Sequence, residues 1–151
     1  MENPANNKVK IKVKKLHPDA IIPYYPHEGD AGLEIFSVED LIIKAGERAL
    51  IPTGLSIELP PGYVSLIWDK SGLASKSGLK TMGGVIEHGY RGEYKIVIFN
   101  SSKEDYPIKK GQKIAQLLVQ PIMTAEIEEV QELSESSRGA DGFGSTGLFK
   151  K

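Results

Sequence analysis

The chain contains no cysteine. That excludes disulfides, a thiolate metal centre and a cysteine nucleophile, and it suits a reducing, cytoplasmic setting. An excess of charge of one sign is also missing. Nineteen Lys and Arg stand against 20 Asp and Glu, leaving a formal net charge of −1, without the positive footprint of a nucleic-acid binder. No apolar run approaches the roughly 20 residues of a membrane-spanning helix. Met1 to Val9 is polar, with three asparagines, unlike a secretory signal. The three histidines, His17, His27 and His88, are scattered, which argues against a histidine-based metal site. What remains is 151 residues, enough for one domain with one core.

The chain reads as a β protein. Val9, Ile11, Val13 and Leu16 nearly alternate with lysines, as in an edge strand. Leu33 to Phe36 and Ala49 to Ile51 are short apolar runs, and Leu55, Ile57 and Leu59 alternate after the turn Pro52-Thr53-Gly54. Pro60-Pro61-Gly62 breaks that strand; Tyr63 to Trp68, Tyr94 to Phe99 and Ile114 to Val119 follow as further strands. Turns are expected at Gly29, Gly46, Gly62, Gly92 and Gly111. Two short helical candidates are Gly72 to Gly78 and the acidic Ala125 to Leu133. Many short strands at this spacing predict an all-β jelly-roll-like barrel or sandwich with one or two short helices. Residues 1–133 form the expected single domain, and 134–151 a mobile Gly-rich tail.

That tail carries the strongest chemical signal. Four glycines fall between Gly139 and Gly147, with Arg138 before them and Phe143, Ser145 and Thr146 among them. It has no period that would bury a face. Unhindered backbone N–H groups, two hydroxyls and a guanidinium suit a triphosphate, and a phenyl ring can stack on a base. A plain disordered tail is the competing reading.

Four more motifs precede it: Asp30-Ala31-Gly32-Leu33-Glu34-Ile35; Asp69-Lys70-Ser71-Gly72-Leu73-Ala74; Gly83-Gly84-Val85-Ile86-Glu87-His88-Gly89-Tyr90-Arg91-Gly92-Glu93; and Gly111-Gln112-Lys113-Ile114-Ala115-Gln116-Leu117. Taken singly, each has a plainer reading. The first is a β-turn, and Ser71-Gly72 is a helix N-cap. Glu87 is a solvated turn acid, Tyr90 a packed aromatic, and Gln116 a core hydrogen-bonder. Their joint order and spacing give them force.

In that order the five motifs resemble the trimeric dUTPase family, over about Lys10 to Gly147. The resemblance implies a β jelly roll that forms a homotrimer, with each active site shared among subunits and the tail supplied by a third chain. It implies hydrolysis of dUTP to dUMP and pyrophosphate. Mg²⁺ would ride on the triphosphate with no direct protein ligand, Glu34 reaching it through water at most. Glu87 takes the place of the aspartate that orients the attacking water, and Tyr90 that of the ring under deoxyribose. Backbone at Gly84 and Val85 reads uracil. Lys70, Ser71, Gly72 and Gln116 match phosphate contacts. Arg138, Gly144, Ser145 and Thr146 match the tail's phosphate loop, and Phe143 the ring that closes over the base.

Four positions depart from the family pattern. Glu34 and Glu87 replace aspartates, Lys70 replaces an arginine and Asp141 replaces a glycine. An extra methylene at Glu87 displaces its carboxylate by about 1.5 Å, where misplacement by about 1 Å costs roughly 10²-fold in rate. Glu34 facing Lys70 reads as a joint replacement of an Asp–Arg pair. Two other functions compete: a non-catalytic nucleotide sensor, favoured by the Asp-to-Glu changes, and a dCTP deaminase, disfavoured because Val97 stands where that branch has its glutamate.

Overall fold

The computed structural model describes residues 8–149. The polar N-terminal Met1 to Asn7 and the final Lys150 and Lys151 lie outside the described residues.

Among the described residues eleven strands and one helix follow one another. They are β1 (Lys12–Lys15), β2 (Leu33–Phe36), β3 (Leu41–Ile43), β4 (Arg48–Pro52), β5 (Leu55–Glu58), β6 (Tyr63–Trp68), α1 (Ser71–Ser77), β7 (Leu79–Met82), β8 (Val85–Glu87), β9 (Lys95–Asn100), β10 (Tyr106–Ile108) and β11 (Lys113–Pro121). A four-stranded sheet has the order β2-β11-β6-β8, and a three-stranded sheet the order β4-β9-β7; two pairs, β1-β5 and β10-β3, complete the body. The described strands do not close into a barrel. Apolar faces of the two larger sheets meet in one core. Leu33 and Ile35 of β2, Ile67 of β6 and Leu117 of β11 share it with Ile51 of β4, Leu79 of β7, and Ile96 and Ile98 of β9. Each such buried aliphatic side chain contributes about 1.5–3 kcal/mol.

Buried polar groups are paired. The Tyr94 hydroxyl shares a 2.9 Å hydrogen bond with Ser65. Asn100 Nδ2 donates to the Ile43 and Glu104 carbonyls (3.0 and 2.7 Å). Among the described residues no buried side-chain nitrogen or oxygen lacks a partner, as a satisfied interior requires.

The helix α1 ends at Gly78, whose left-handed φ of 66° turns the chain back while its N–H caps Ala74 and Leu73. Its N-cap is Lys70, which makes no side-chain cap bond. Ser71 is therefore the first helical residue rather than the cap, and its hydroxyl is not consumed in capping.

The second helical candidate, Ala125 to Leu133, is not a helix; the segment has no regular structure and lies exposed. No face of it is buried to stabilise so short a helix, and Glu126 and Glu129, and Glu128 and Glu132, would repel at helical spacing. No described helix is long and apolar enough to cross a membrane.

Candidate active site

Two separate clefts hold the motif residues. The first, of about 290 Å³, is lined by Asp30, Gly32, Glu34, Lys70, Ser71, Gly72 and Gln116. The second, of about 610 Å³, is lined by Val85, Ile86, Glu87, Tyr90, Glu93 and Lys95, with Leu50 and Gly83. They have no lining residue in common.

The first cleft is built on the middle of the four-stranded sheet. Gln116 stands opposite Glu34 on one side and Trp68 on the other. Its Nε2 donates to the Asp69 carbonyl at 2.8 Å, tying β11 to the turn that starts α1. Gly32 lies close beside it; a Cβ there would overlap Gln116 Oε1 and push the amide aside. Lys70 grips Glu34 with contacts of 2.6 and 2.8 Å to its two carboxylate oxygens. The paired replacement expected from the sequence is thus a physical pair, with the Glu34 side chain only 8% exposed and Lys70 25%.

Asp69, to which sequence reasoning assigned no role, anchors this cleft. Its carboxylate accepts hydrogen bonds from the Thr81 N–H (2.6 Å), the Thr81 hydroxyl (2.7 Å) and Lys80 (2.7 Å). Burial opposes ionisation of Asp69, but the bonds from Lys80 and Thr81 outweigh it and hold the carboxyl below its ordinary value. Its only mark in the sequence is an acid at the end of a strand, a pattern too common to single out a site.

The second cleft is built on β8 and the turn that follows it. β8 pairs with β6 on one side only, so its other edge presents free backbone donors and acceptors. Gly84 is fixed by space, since a Cβ would run into the Ile67 carbonyl. Glu87 ends the strand in solvent, and its carboxylate accepts no hydrogen bond from the described residues. The turn is closed by Tyr90 N–H to the Glu87 carbonyl (3.1 Å). Arg91 Nη1 donates to the carbonyls of His88 (2.6 Å) and Tyr90 (3.1 Å), and Ser56 Oγ to that of Arg91 (2.7 Å). Tyr90 donates to the Glu93 carbonyl at 3.0 Å, and its ring leans on buried Tyr94 at 6.1 Å. The turn after β8 is thus tied at several points. Around Gly89 there is open space for a Cβ.

The tail joins neither cleft within one chain. Hydrogen bonds of residues 134–149, among those described, stay inside the segment: Arg138 Nε to the Asp141 carbonyl (2.9 Å), and turns at Ser136–Gly139, Gly142–Ser145 and Gly144–Gly147. Phe143 is fully exposed, with a φ of 50°. Before it, Met123, Ile127 and Leu133 also face solvent.

A family model described as dUTPase matches residues 18–147. The chain belongs to the dUTPase family. Relatives named deoxyuridine 5′-triphosphate nucleotidohydrolase include one from Clostridium acetobutylicum, 51% identical over 94% of this chain and 99% of its own length. Another, from Clostridioides difficile, is 50% identical over 91% of this chain and 98% of its own length. Among solved structures, the dUTPase of Staphylococcus bacteriophage 80alpha with dUPNHPP is 36% identical, with a TM-score of 0.86 over 92% of this chain and 99% of that one. A mutant dUTPase from phage phi11 of S. aureus, described for its coordination of a structural Mg(II) ion, is 32% identical with a TM-score of 0.78, over 83% of this chain and 99% of that one. The dUTPase fold of this chain thus places motifs one, two and four at the first cleft and motif three at the second.

Proposed function

We propose that this dUTPase-family protein hydrolyses dUTP to dUMP and pyrophosphate, at sites that three identical chains assemble together. The observation that carries the reading is the division of labour between the clefts. The lysine-bearing cleft has the polar chemistry of a phosphate site. The Tyr90 cleft has an apolar floor, a free strand edge and a carboxylate, the chemistry of a nucleoside site. A nucleotide needs both, and a closed head-to-tail ring of three copies can set one cleft of each chain against the other cleft of the next. The exposed apolar run Met123, Ile127 and Leu133 and the unanchored tail are suited to crossing a neighbour.

In this reading the backbone at Gly84 and Val85 pairs with the uracil edge, leaving buried groups unmatched if cytosine enters. The Tyr90 ring packs under the deoxyribose and leaves no room for a 2′-hydroxyl. Lys70, Ser71, Gly72 and Gln116 bind the phosphates. Glu87 accepts the proton of a water whose oxygen attacks the α-phosphorus. The bridge to the β-phosphate breaks, and pyrophosphate leaves. The tail orders over the nucleotide, Phe143 covering the base and Arg138, Gly144, Ser145 and Thr146 holding the terminal phosphate. Its closure excludes water not aimed at phosphorus. In this reading the single domain runs over residues 1–133 and the closing tail over 134–151.

The described residues offer no group of three or more His, Asp or Glu side chains able to cage a metal. In this reading Mg²⁺ would be carried by phosphate oxygens and water and would neutralise charge on the triphosphate. Both Glu34 oxygens are engaged by Lys70, and each keeps acceptor capacity for a water that would link Glu34 to the ion.

A panel of dUTP, UTP, dCTP and dTTP with Mg²⁺, scored for pyrophosphate and ammonia, tests the reading. Pyrophosphate from dUTP above all others is expected. Binding without turnover would leave a nucleotide sensor, and ammonia from dCTP a deaminase.

A further inference from the structure

A second lysine stands behind the Glu34–Lys70 pair, put there by an irregularity in the sheet. Gln116 opposes Glu34 and Ala115 opposes Ile35, but Lys113 opposes Phe36, because the register shifts between Lys113 and Ala115. In a regular ladder residue 113 would face Ser37 and point to the other side of the sheet. The extra residue, Ile114, returns Lys113 to the face of Glu34, since one inserted residue reverses side-chain direction. Lys113 Nζ then lies 3.7 Å from Glu34 Oε1, on the oxygen that Lys70 holds at 2.8 Å. It also sits 5.9 Å above the Tyr24 ring, which stacks on Phe36 at 5.7 Å. Lys113 is absent from the lining of the phosphate cleft, whereas Lys70 and Glu34 are part of it.

We propose that Lys113 is a positioning residue that takes over the Glu34 carboxylate when Lys70 turns to an incoming phosphate. The inference rests on the phosphate reading of that cleft. Glu34 is the buried member of the trio, and a buried carboxylate that loses its only counter-ion is strongly unfavourable. If Lys70 were alone, any gain on the phosphate would be set against an orphaned Glu34. With Lys113 already at 3.7 Å, a shift of about one ångström restores an ion pair of ordinary length. The handover is thus a coupling between phosphate binding and the Glu34–Lys113 contact.

The test is a double-mutant cycle on the full-length protein. Binding of inorganic triphosphate is measured by calorimetry, and dUTP turnover is measured in parallel. Lys113→Met keeps the stem over Tyr24 but removes the charge, and it is expected to weaken triphosphate binding at least about tenfold, within the usual range of coupling between sites. In a Glu34→Gln background no carboxylate needs a counter-ion, so Lys113→Met is expected to change binding less than about threefold. Simple long-range attraction between Lys113 and the anion would instead give equal losses in both backgrounds, and that result would overturn the handover. Lys113→Arg is expected to retain wild-type binding; loss there equal to that in Lys113→Met would also overturn it, and this arm stands even if Glu34→Gln does not fold. In dUTP turnover, KM should rise with kcat nearly kept. Failure of the wild type to bind triphosphate would overturn the phosphate reading of the cleft and the handover with it. Binding by the wild type that survives Lys113→Met unchanged would overturn the handover alone.

Discussion

The hydroxyl end of the Tyr90 ring occupies the space that a side chain at residue 92 would need; a Cβ on Gly92 would overlap both the ring and its oxygen. Gly92 is therefore part of how the ring is aimed, although its own φ is not in the left-handed region. Gly92→Ala is expected to tilt the ring and break its 3.0 Å bond to the Glu93 carbonyl. The kcat/KM for dUTP should fall at least about tenfold, the scale on which misplaced groups cost rate, with the strand content by circular dichroism preserved. Tyr90→Ala should narrow the preference for dUTP over UTP; equal rejection of UTP by that variant would place sugar reading elsewhere.

Glu87 is the second target. Glu87→Gln keeps the shape and removes the proton acceptor, so single-turnover rates should fall at least about 10²-fold while nucleotide affinity changes far less. Glu87→Asp separates two geometries. A turn adapted to glutamate leaves the shorter acid off its water, and the rate falls, as expected here. A rate that rises would mean the backbone has kept the geometry suited to aspartate. No change in either variant would return Glu87 to a surface acid.

Phe143 is fully exposed in the single chain, so it has no fold to lose. Phe143→Ala should leave the melting temperature unchanged and weaken nucleotide binding by about 1–3 kcal/mol, the range for a ring stacked on a base. A drop in melting temperature without loss of affinity would contradict a closing role.

Much of this arrangement is legible in the sequence, for reasons that differ by element. The run Tyr63 to Trp68 shows its true ends, because Pro60-Pro61-Gly62 punctuates one side and the polar Asp69-Lys70 the other. Strands β3 and β10 do not show, since three residues carry no alternation to detect. Ala125 to Leu133 misleads, because its mixed spacing allows a helix while its like charges disfavour one and no face of it finds a partner to pack on among the described residues. The motif residues stand out, and Glu34 is correctly set against Lys70. The roles of Asp69 and Lys113 are hidden. The first depends on Thr81 and Lys80, brought in from another strand. The second depends on a single-residue bulge that no local pattern announces. Gly92 reads as a turn residue; its necessity lies in the neighbouring ring.

Acid should act through Asp69. Its carboxyl is held below the ordinary 3.8 because the bonds from Lys80 and Thr81 outweigh the opposing effect of burial. A group depressed in the folded state stabilises above its unfolded value, and that stability is lost as pH falls through the lower folded value. Melting temperature should therefore decline below about pH 4, the ordinary carboxylate range, and decline less steeply in Asp69→Asn, which starts lower at neutral pH. Parallel curves for the two proteins would remove Asp69 from the acid response.

The measurement closest to the central claim is complementation between two inactive chains. One carries Glu87→Gln and keeps its tail; the other keeps Glu87 and ends at Leu133, before the segment whose hydrogen bonds are all its own. Each alone should form trimers with little dUTP turnover. Unfolded together and refolded, they should recover pyrophosphate release, because Glu87 from one chain and the tail from another meet in a single site. Mixed trimers, verified by mass, that stay as inactive as either parent would show that Glu87 and the tail must belong to the same chain, and would contradict the shared site.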